Sequence, residues 1–318
     1  MSAIQKLEQP VVRARGAVAA IPVSVIVPAR NEARNLPQCL ESLHEAGEVY
    51  VIDSQSTDAT AEIARAHGAK VVQFHYHGGW PKKRQWAMDS LPFAHDWILL
   101  LDADEALTPE LAAEIRVTIA NPGADGYYIA LEQYFLGRRL RHCGAKLYKL
   151  SLFRRGRGRF ECRVKDQDRS MADMEVHEHV VVGGKTAKLR SALLHRNVES
   201  LSRYIQKHDE YSNWEAAVWR EGEASYGDLK PALAGTQAQR RRWLKKYFLG
   251  LPGSPALFFL FKYVFRLGFL DGVPGLIYCG FQGIQFFHIK AKIYELRLTR
   301  ERDGASVRDD ETGACSGK

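Results

Sequence analysis

Cysteine is scarce and scattered: Cys39, Cys143, Cys162, Cys279 and Cys315 are the only five in 318 residues, with no C-x-x-C pair among them. This excludes a disulfide framework or a zinc knuckle as the basis of the fold and fits a reducing compartment. No apolar stretch follows the basic residues near the N-terminus, although residues 17–20 loosely resemble a cleavage site, so the catalytic part is expected to stay in the cytosol. No segment matches a nucleic-acid-binding motif, and nucleic acid is not an expected partner. Uninterrupted apolar runs of spanning length are also missing. Residues 272–289 hold 18 positions without Asp, Glu, Lys or Arg, but Pro274 and four glycines break them, so helices lying in or dipping into one leaflet are expected rather than a span.

Positive charge is plentiful. Lys and Arg number 45 against 37 Asp and Glu, giving a net charge of +8 and a pI near 9.2, which points to an anionic partner. The excess is concentrated at Arg240, Arg241, Arg242, Lys245 and Lys246, beside Trp243, Tyr247 and Phe248. Each basic group near an anionic bilayer contributes about 1 kcal/mol, and aromatic neighbours suit the lipid interface. A solvated helix face accounts for this segment equally well.

Apolar periodicity predicts strands at residues 23–28, 49–53, 70–74 and 97–102, with helices at 35–44, 59–67 and 81–90 between them. Strands and helices alternating in this way predict a parallel, doubly wound α/β sheet with right-handed crossovers. Shorter strands follow near 127–131, 146–153 and 175–182, and residues 201–220 read as a helix. The expected organisation is a flexible N-terminus (1–21), an α/β catalytic domain (22–200), a basic and aromatic helical region (201–298) and a disordered tail (299–318).

Leu99, Leu100 and Leu101 run directly into Asp102, Ala103, Asp104 and Glu105. In an open α/β sheet the crevice beyond a strand's carboxyl end is the usual ligand site. Carboxylates clustered there repel one another unless a cation lies between them, and hard oxygen ligands suit Mg²⁺ or Mn²⁺. A solvated turn before a helix starting at Pro109, with Thr108 as N-cap, is the structural alternative. The second strand ends at Asp53, Ser54, Gln55, Ser56, Thr57 and Asp58. Asp53 can accept a ring N–H from a nucleobase, whereas helix capping explains Asp58 better. Pro28, Ala29, Arg30, Asn31 and Glu32 follow the first strand and divide evenly between structure and site.

Taken together, VSVIVPARNEARNLPQCLESL from Val23, VYVIDSQSTDATAEIA from Val49 and WILLLDADEALTPEL from Trp97 resemble the family 2 inverting glycosyltransferases of GT-A fold. GWPKKRQWAM from Gly79, LFRRGRGRF from Leu152, VHEHV from Val176 and LGFLDG from Leu267 are similar to the bacterial lipopolysaccharide-core glucosyltransferase branch. The resemblance covers residues 22–200 well and the C-terminal segment loosely. It implies a Rossmann-like, mostly parallel sheet with helices on both faces, followed by an amphipathic, membrane-associated helical segment.

The resemblance also implies roles. Asp53 would contact the donor base, Asp102 the ribose and a metal-bound water, and Asp104 a divalent ion bridging the diphosphate. The full expected donor set is Pro28, Arg30, Glu32, Asp53, Arg84, Asp102 and Ala103. Ser54 and Gln55 depart from the commoner Asp and Gly, which leaves uridine as the expected base, with guanosine and thymidine as alternatives. Inversion at a hydroxyl acceptor needs a general base; Glu178 is the candidate, with Asp166 and Asp168 behind it. In strand geometry His177 and His179 would share the face opposite Glu178, a second metal-site option. Arg84, Lys82 and Lys83, together with Arg154 and Arg155, are candidates for phosphate contacts, and His195 reads chiefly as a hydrogen-bonded structural residue. The expected activity is hexose transfer from a nucleotide-diphosphate sugar to a cell-envelope glycolipid or lipid-linked saccharide, on the cytoplasmic side of the inner membrane by a peripheral or monotopic protein. A polyprenyl-phosphate glycosyltransferase and a non-catalytic basic membrane-binding module are the rival readings.

Overall fold

The computed structural model describes residues 19–144, 147–164, 173, 175, 178–196, 200–222 and 228–313, with side chains to 299. Asp166, Asp168 and His177 lie outside the described residues.

The N-terminal half alternates strand and helix: β1 (Ile21–Ala29), α1 (Leu36–Ser42), β2 (Ala46–Asp53), α2 (Thr60–Ala66), β3 (Lys70–Gln73), α3 (Lys83–Ser90) and β4 (Trp97–Leu100). These four strands pair in parallel in the order β3-β2-β1-β4. Successive residues divide between two cores. Val25, Val27 and Leu99 pack on one face with Leu36 and Leu40, whereas Ile26, Ile98 and Leu100 pack on the other with Phe74 and Ala87. Burial on both faces is why these strands read as unbroken apolar runs.

Beyond β4 come β5 (Glu105–Ala106), α4 (Pro109–Ala120), β6 (Gly126–Phe135), β7 (Arg138–Arg139), β8 (Leu147–Arg154), β9 (Gly158–Phe160), β10 (Val180–Val182) and β11 (Thr186–Arg196). Thr108 caps α4 through the Leu111 N–H, with Pro109 in the first turn. β8 joins β4 in antiparallel pairing, and the sheet continues through β6 and β11 to β5, so the whole sheet is mixed. Glu178 precedes β10 rather than lying within a strand, so the strand alternation expected around it does not apply.

The remaining helices are α5 (Leu201–Glu221), α6 (Gln237–Gly250), α7 (Ser254–Leu260) and α8 (Gly272–Gly313), with a π-helical turn at Phe261–Phe265 and a 3₁₀ turn at Gly268–Asp271 before α8. α8 runs past residue 299, the expected start of the tail. Thr236 and Gln239 form a capping box that opens α6. Among the described residues no helix is long and apolar enough to cross a membrane. Two members of the basic cluster are committed inside the protein: Arg242 forks onto buried Glu161, and Lys245 pairs with Glu215.

Candidate active site

The first two motifs are partners in one piece of backbone architecture. Asn31, at φ +56°, receives a hydrogen bond on its own carbonyl Oδ1 from the Thr57 N–H (2.8 Å), while its N–H donates to Ser56 Oγ (2.8 Å). The Glu32 N–H donates to Thr60 Oγ1 (2.8 Å), and the Ala33 N–H to Asp58 (3.2 Å). Asp53 accepts from the Ser56 N–H and hydroxyl and from Gln73 (2.8 Å). These contacts join the loops after β1 and β2 and fix what they present at the strand tips.

At the end of β4 the carboxylates acquire cations from distant parts of the chain. Asp102 pairs with Arg84 through one oxygen and with Lys149 through the other (2.7 Å). Burial alone would raise its carboxyl, but Arg84 and Lys149 overcome that and hold it well below the usual carboxylate range. Glu105 receives the Asp102 N–H (2.8 Å) and lies 3.2 Å from Lys149, and burial pushes its carboxyl up. Asp104 sits 3.1 Å from His195 Nε2. The register creates this contact, since β11 pairs with β5 so that His195 lies opposite Glu105. Burial by itself would lower His195, yet the field of Asp104, Glu105 and Asp102 lifts it to about 9, so the ring is held as an imidazolium.

A cavity of about 370 Å³ opens in front of this cluster. Pro28, Arg30, Glu32, Asp102, Ala103 and Asp104 line it, so six of the nine sequence-derived site residues share one hollow. Asp53, Arg84 and Glu178 are not in its wall. Asp53 holds its own loop. Arg84 donates to the Glu175 carbonyl and to Asp102, which leaves it behind the carboxylates rather than in front of them. The Glu178 side chain is fully buried, 3.3 Å from a Lys82 that is equally buried, and burial pushes its carboxyl up despite that lysine.

Arg154 and Arg155 are at the wrong end of the sheet for a donor. Antiparallel pairing puts Arg154 opposite Trp97, the first residue of β4, and the two arginines meet Asp125 and Asp96. The same register carries Lys149, earlier in β8, to the carboxylates at the other end. Its signal was a lysine set among the apolar residues Leu147, Leu150, Leu152 and Phe153. Sequence reasoning also missed the opposite wall, where α5 contributes Arg203, Lys207, Glu210 and Tyr211 and α8 contributes Tyr278 and Gln282. Lys207 binds Glu32 at 2.8 Å across the gap, and Lys83 lies 3.2 Å from Asp173.

The donor chemistry fits a hard dication of modest protein coordination. Among the described residues no group of three or more His, Cys, Asp or Glu is placed to hold a metal ion. Asp104 gives one ligand at the cavity wall and His195, once its ring gives up the proton that Asp104 now holds on it, a second; Mg²⁺ in particular is commonly held by one or two protein groups with substrate phosphates and water completing the shell. Lys149, Lys207 and Arg84 supply positive charge around the carboxylates.

A family model described as Glycosyl transferase family 2 matches residues 24–180. The lipopolysaccharide core biosynthesis glycosyltransferase LpsC of Rhizobium meliloti is 27% identical over 290 residues, which is 89% of this chain and 95% of that protein. An uncharacterized glycosyltransferase of Rickettsia bellii is 38% identical over 106 residues, covering 33% of this chain and 35% of its own length. Among solved structures, Staphylococcus aureus TarS 1-349 aligns over 87% of this chain and 91% of its own at 14% identity and a TM-score of 0.42. Glucosyl-3-phosphoglycerate synthase from Mycobacterium tuberculosis, with Mn²⁺, UDP and glucosyl-3-phosphoglycerate, aligns over 60% of this chain and 78% of its own at 14% identity and a TM-score of 0.37.

Proposed function

From the premise that the chain is a family 2 glycosyltransferase resembling lipopolysaccharide-core enzymes, we propose that it transfers a hexose, with inversion, from a UDP-sugar to a hydroxyl of a cell-envelope glycolipid such as lipopolysaccharide core. The observation that carries this is the cavity itself. Asp102 and Asp104 stand at the carboxyl end of β4, facing a hollow of about 370 Å³ that also holds Arg30, Lys83 and Lys207. That volume suits a small-molecule ligand, and this mixture of carboxylates and cations suits a diphosphate bridged by a dication. Asp104, with His195 beside it, would hold Mg²⁺ or Mn²⁺. The ion would supply Lewis acidity for the departing nucleoside diphosphate.

The chain's own groups do the rest. Arg30, Lys83 and Lys207 stabilise phosphate charge, and Ala103 leaves room between the two aspartates for the donor. Deprotonation of the acceptor is assigned to Glu178, whose raised carboxyl favours proton uptake and whose ion pair with Lys82 must open to admit a hydroxyl. Glu210 is the second reading, because it lines the cavity and burial likewise pushes its carboxyl up. The site works at the cytoplasmic face of the inner membrane, where both a soluble donor and a lipid-borne acceptor are within reach.

The deciding experiment screens nucleotide sugars for hydrolysis and for protection against thermal unfolding with Mn²⁺ or Mg²⁺. One UDP-sugar should bind only with metal, and Asp104→Ala should abolish both effects. Function left intact by Asp104→Ala would favour a non-catalytic membrane-binding module. Near-normal turnover in both Glu178→Gln and Glu210→Gln would favour a phosphate acceptor, which is already anionic and needs no base.

A further inference from the structure

The C-terminal helices expose an apolar surface that the catalytic reading does not use. Phe265 is 78% exposed and Val273 68%, and Leu267, Phe269 and Leu270 between them and Phe261 before them are exposed as well. On α8, Tyr278 and Gln282, one turn apart, face the catalytic cavity. Val273, Leu276, Ile284, Phe287 and Tyr294 fall on the opposite side at 3.6 residues per turn, and all five are exposed. Among the described residues the face of α8 turned away from the cavity is therefore apolar and exposed, and an exposed apolar patch of this kind marks an interaction surface.

Charge indicates what covers it. Residues 237–298 contain only two acidic side chains, Asp271 and Glu295, and Asp271 is buried. Arg266 is exposed between the exposed Phe265 and Leu267, and Arg240 and Arg241 are exposed on α6. A second copy docked by a two-fold axis would bring these basic rims together, whereas an anionic leaflet neutralises them. The hairpin is also built for close packing. A Cβ on Gly268 would lie 2.8 Å from the Lys262 carbonyl, and one on Gly283 would lie 2.9 Å from the Pro255 carbonyl, so the π turn meets the 3₁₀ turn, and α7 meets α8, nearly backbone to backbone.

We propose that this hairpin seats its outer side chains in an anionic leaflet, and that α8 thereby forms the partition between bilayer and cavity. One helix is about 10–12 Å across with its side chains. The reacting sugar of the acceptor is accordingly held within about that distance of the headgroups, and the acceptor is a short lipid-borne saccharide rather than the distal end of a long chain. This inference rests on the sugar-transfer reading above.

The test uses the full chain and flotation with vesicles of phosphatidylethanolamine and phosphatidylglycerol, against phosphatidylcholine alone. The wild type should float with the anionic vesicles. Phe265→Glu and Phe287→Glu should each reduce partitioning by about ten- to a hundredfold, with far-UV spectrum and metal-dependent UDP-sugar hydrolysis unchanged. Transfer to a lipid-linked acceptor should fall with flotation, while transfer to its delipidated saccharide should not. Variants that float like the wild type overturn the proposal, as does a dimer in sedimentation that these substitutions dissociate. Hydrolysis without flotation defeats only this inference, and flotation without any sugar-nucleotide hydrolysis defeats the transferase reading.

Discussion

Asp271 is the residue whose replacement most directly tests how the helical half is held against the sheet. Its Oδ1 accepts the Arg141 N–H at 3.0 Å, and its Oδ2 accepts the N–H groups of His142 and Cys143 at 3.0 and 2.9 Å. The carboxylate is buried and immediately precedes α8, the helix that brings Tyr278 and Gln282 to the cavity. Asp271→Ala leaves three backbone donors without an acceptor. An unsatisfied buried donor costs roughly 1–3 kcal/mol, but Arg141 is exposed and His142 partly so, and water can re-pair those two. The expected loss is therefore about 2–4 kcal/mol. Amide hydrogen exchange at residues 141–143 should accelerate about thirty- to a thousandfold, with a matching drop in the urea midpoint. Asp271→Asn retains one carbonyl oxygen and should lose about half as much. The sign with pH follows from a folded carboxyl held below its usual value: burial opposes this, but the N–H groups outweigh it. The contribution is complete above the unfolded value of about 4 and disappears as pH falls through the lower folded one. Unchanged protection of these amides in Asp271→Ala would refute the anchoring role.

His195→Ala should weaken Mn²⁺-dependent UDP-sugar binding by about tenfold or more while leaving the fold intact, read by calorimetry with UDP; equal affinity would remove His195 from the metal site. Lys149→Met leaves Asp102 and Glu105 with one cation fewer and should destabilise by roughly 1–3 kcal/mol in urea; a stability gain would show that the lysine's desolvation outweighs its pairing. For Glu48, burial raises the carboxyl, but Lys70, Ser24 and the Ala94 N–H bring it to about 2. Its stabilisation, at most about 3 kcal/mol, should be fully present above pH ~4.5 and lost as pH falls toward 2, and Glu48→Gln should flatten that part of the stability curve. Gly268→Ala places a methyl 2.8 Å from the Lys262 carbonyl and 2.9 Å from Cys279 Sγ, and should lower the melting temperature by an amount equivalent to about 1–3 kcal/mol.

The parallel half of the fold was legible because its information is local. Val25, Ile52 and Leu99 lie in runs with no polar face, and the turns that follow carry the polar residues that line or shape the site. Thr108 and Pro109 announced α4 by capping chemistry alone. Asp102 and Asp104 were legible for the same reason, since an apolar run of strand length ending in carboxylates points to a buried strand with those carboxylates beyond its tip. The place of Arg84 was not legible, because its spacing to the turn said nothing of the Asp102 behind which it packs.

What the sequence determined by itself is thus the identity of the carboxylates and the strand that presents them, since periodicity and charge at adjacent positions suffice for both. Their partners were decided only in three dimensions. Lys149 reaches Asp102 because β8 runs antiparallel to β4, and His195 reaches Asp104 because β11 pairs with β5 ninety-one positions away in the chain. Register across a sheet is set by packing among many side chains at once, and no single segment of sequence carries it.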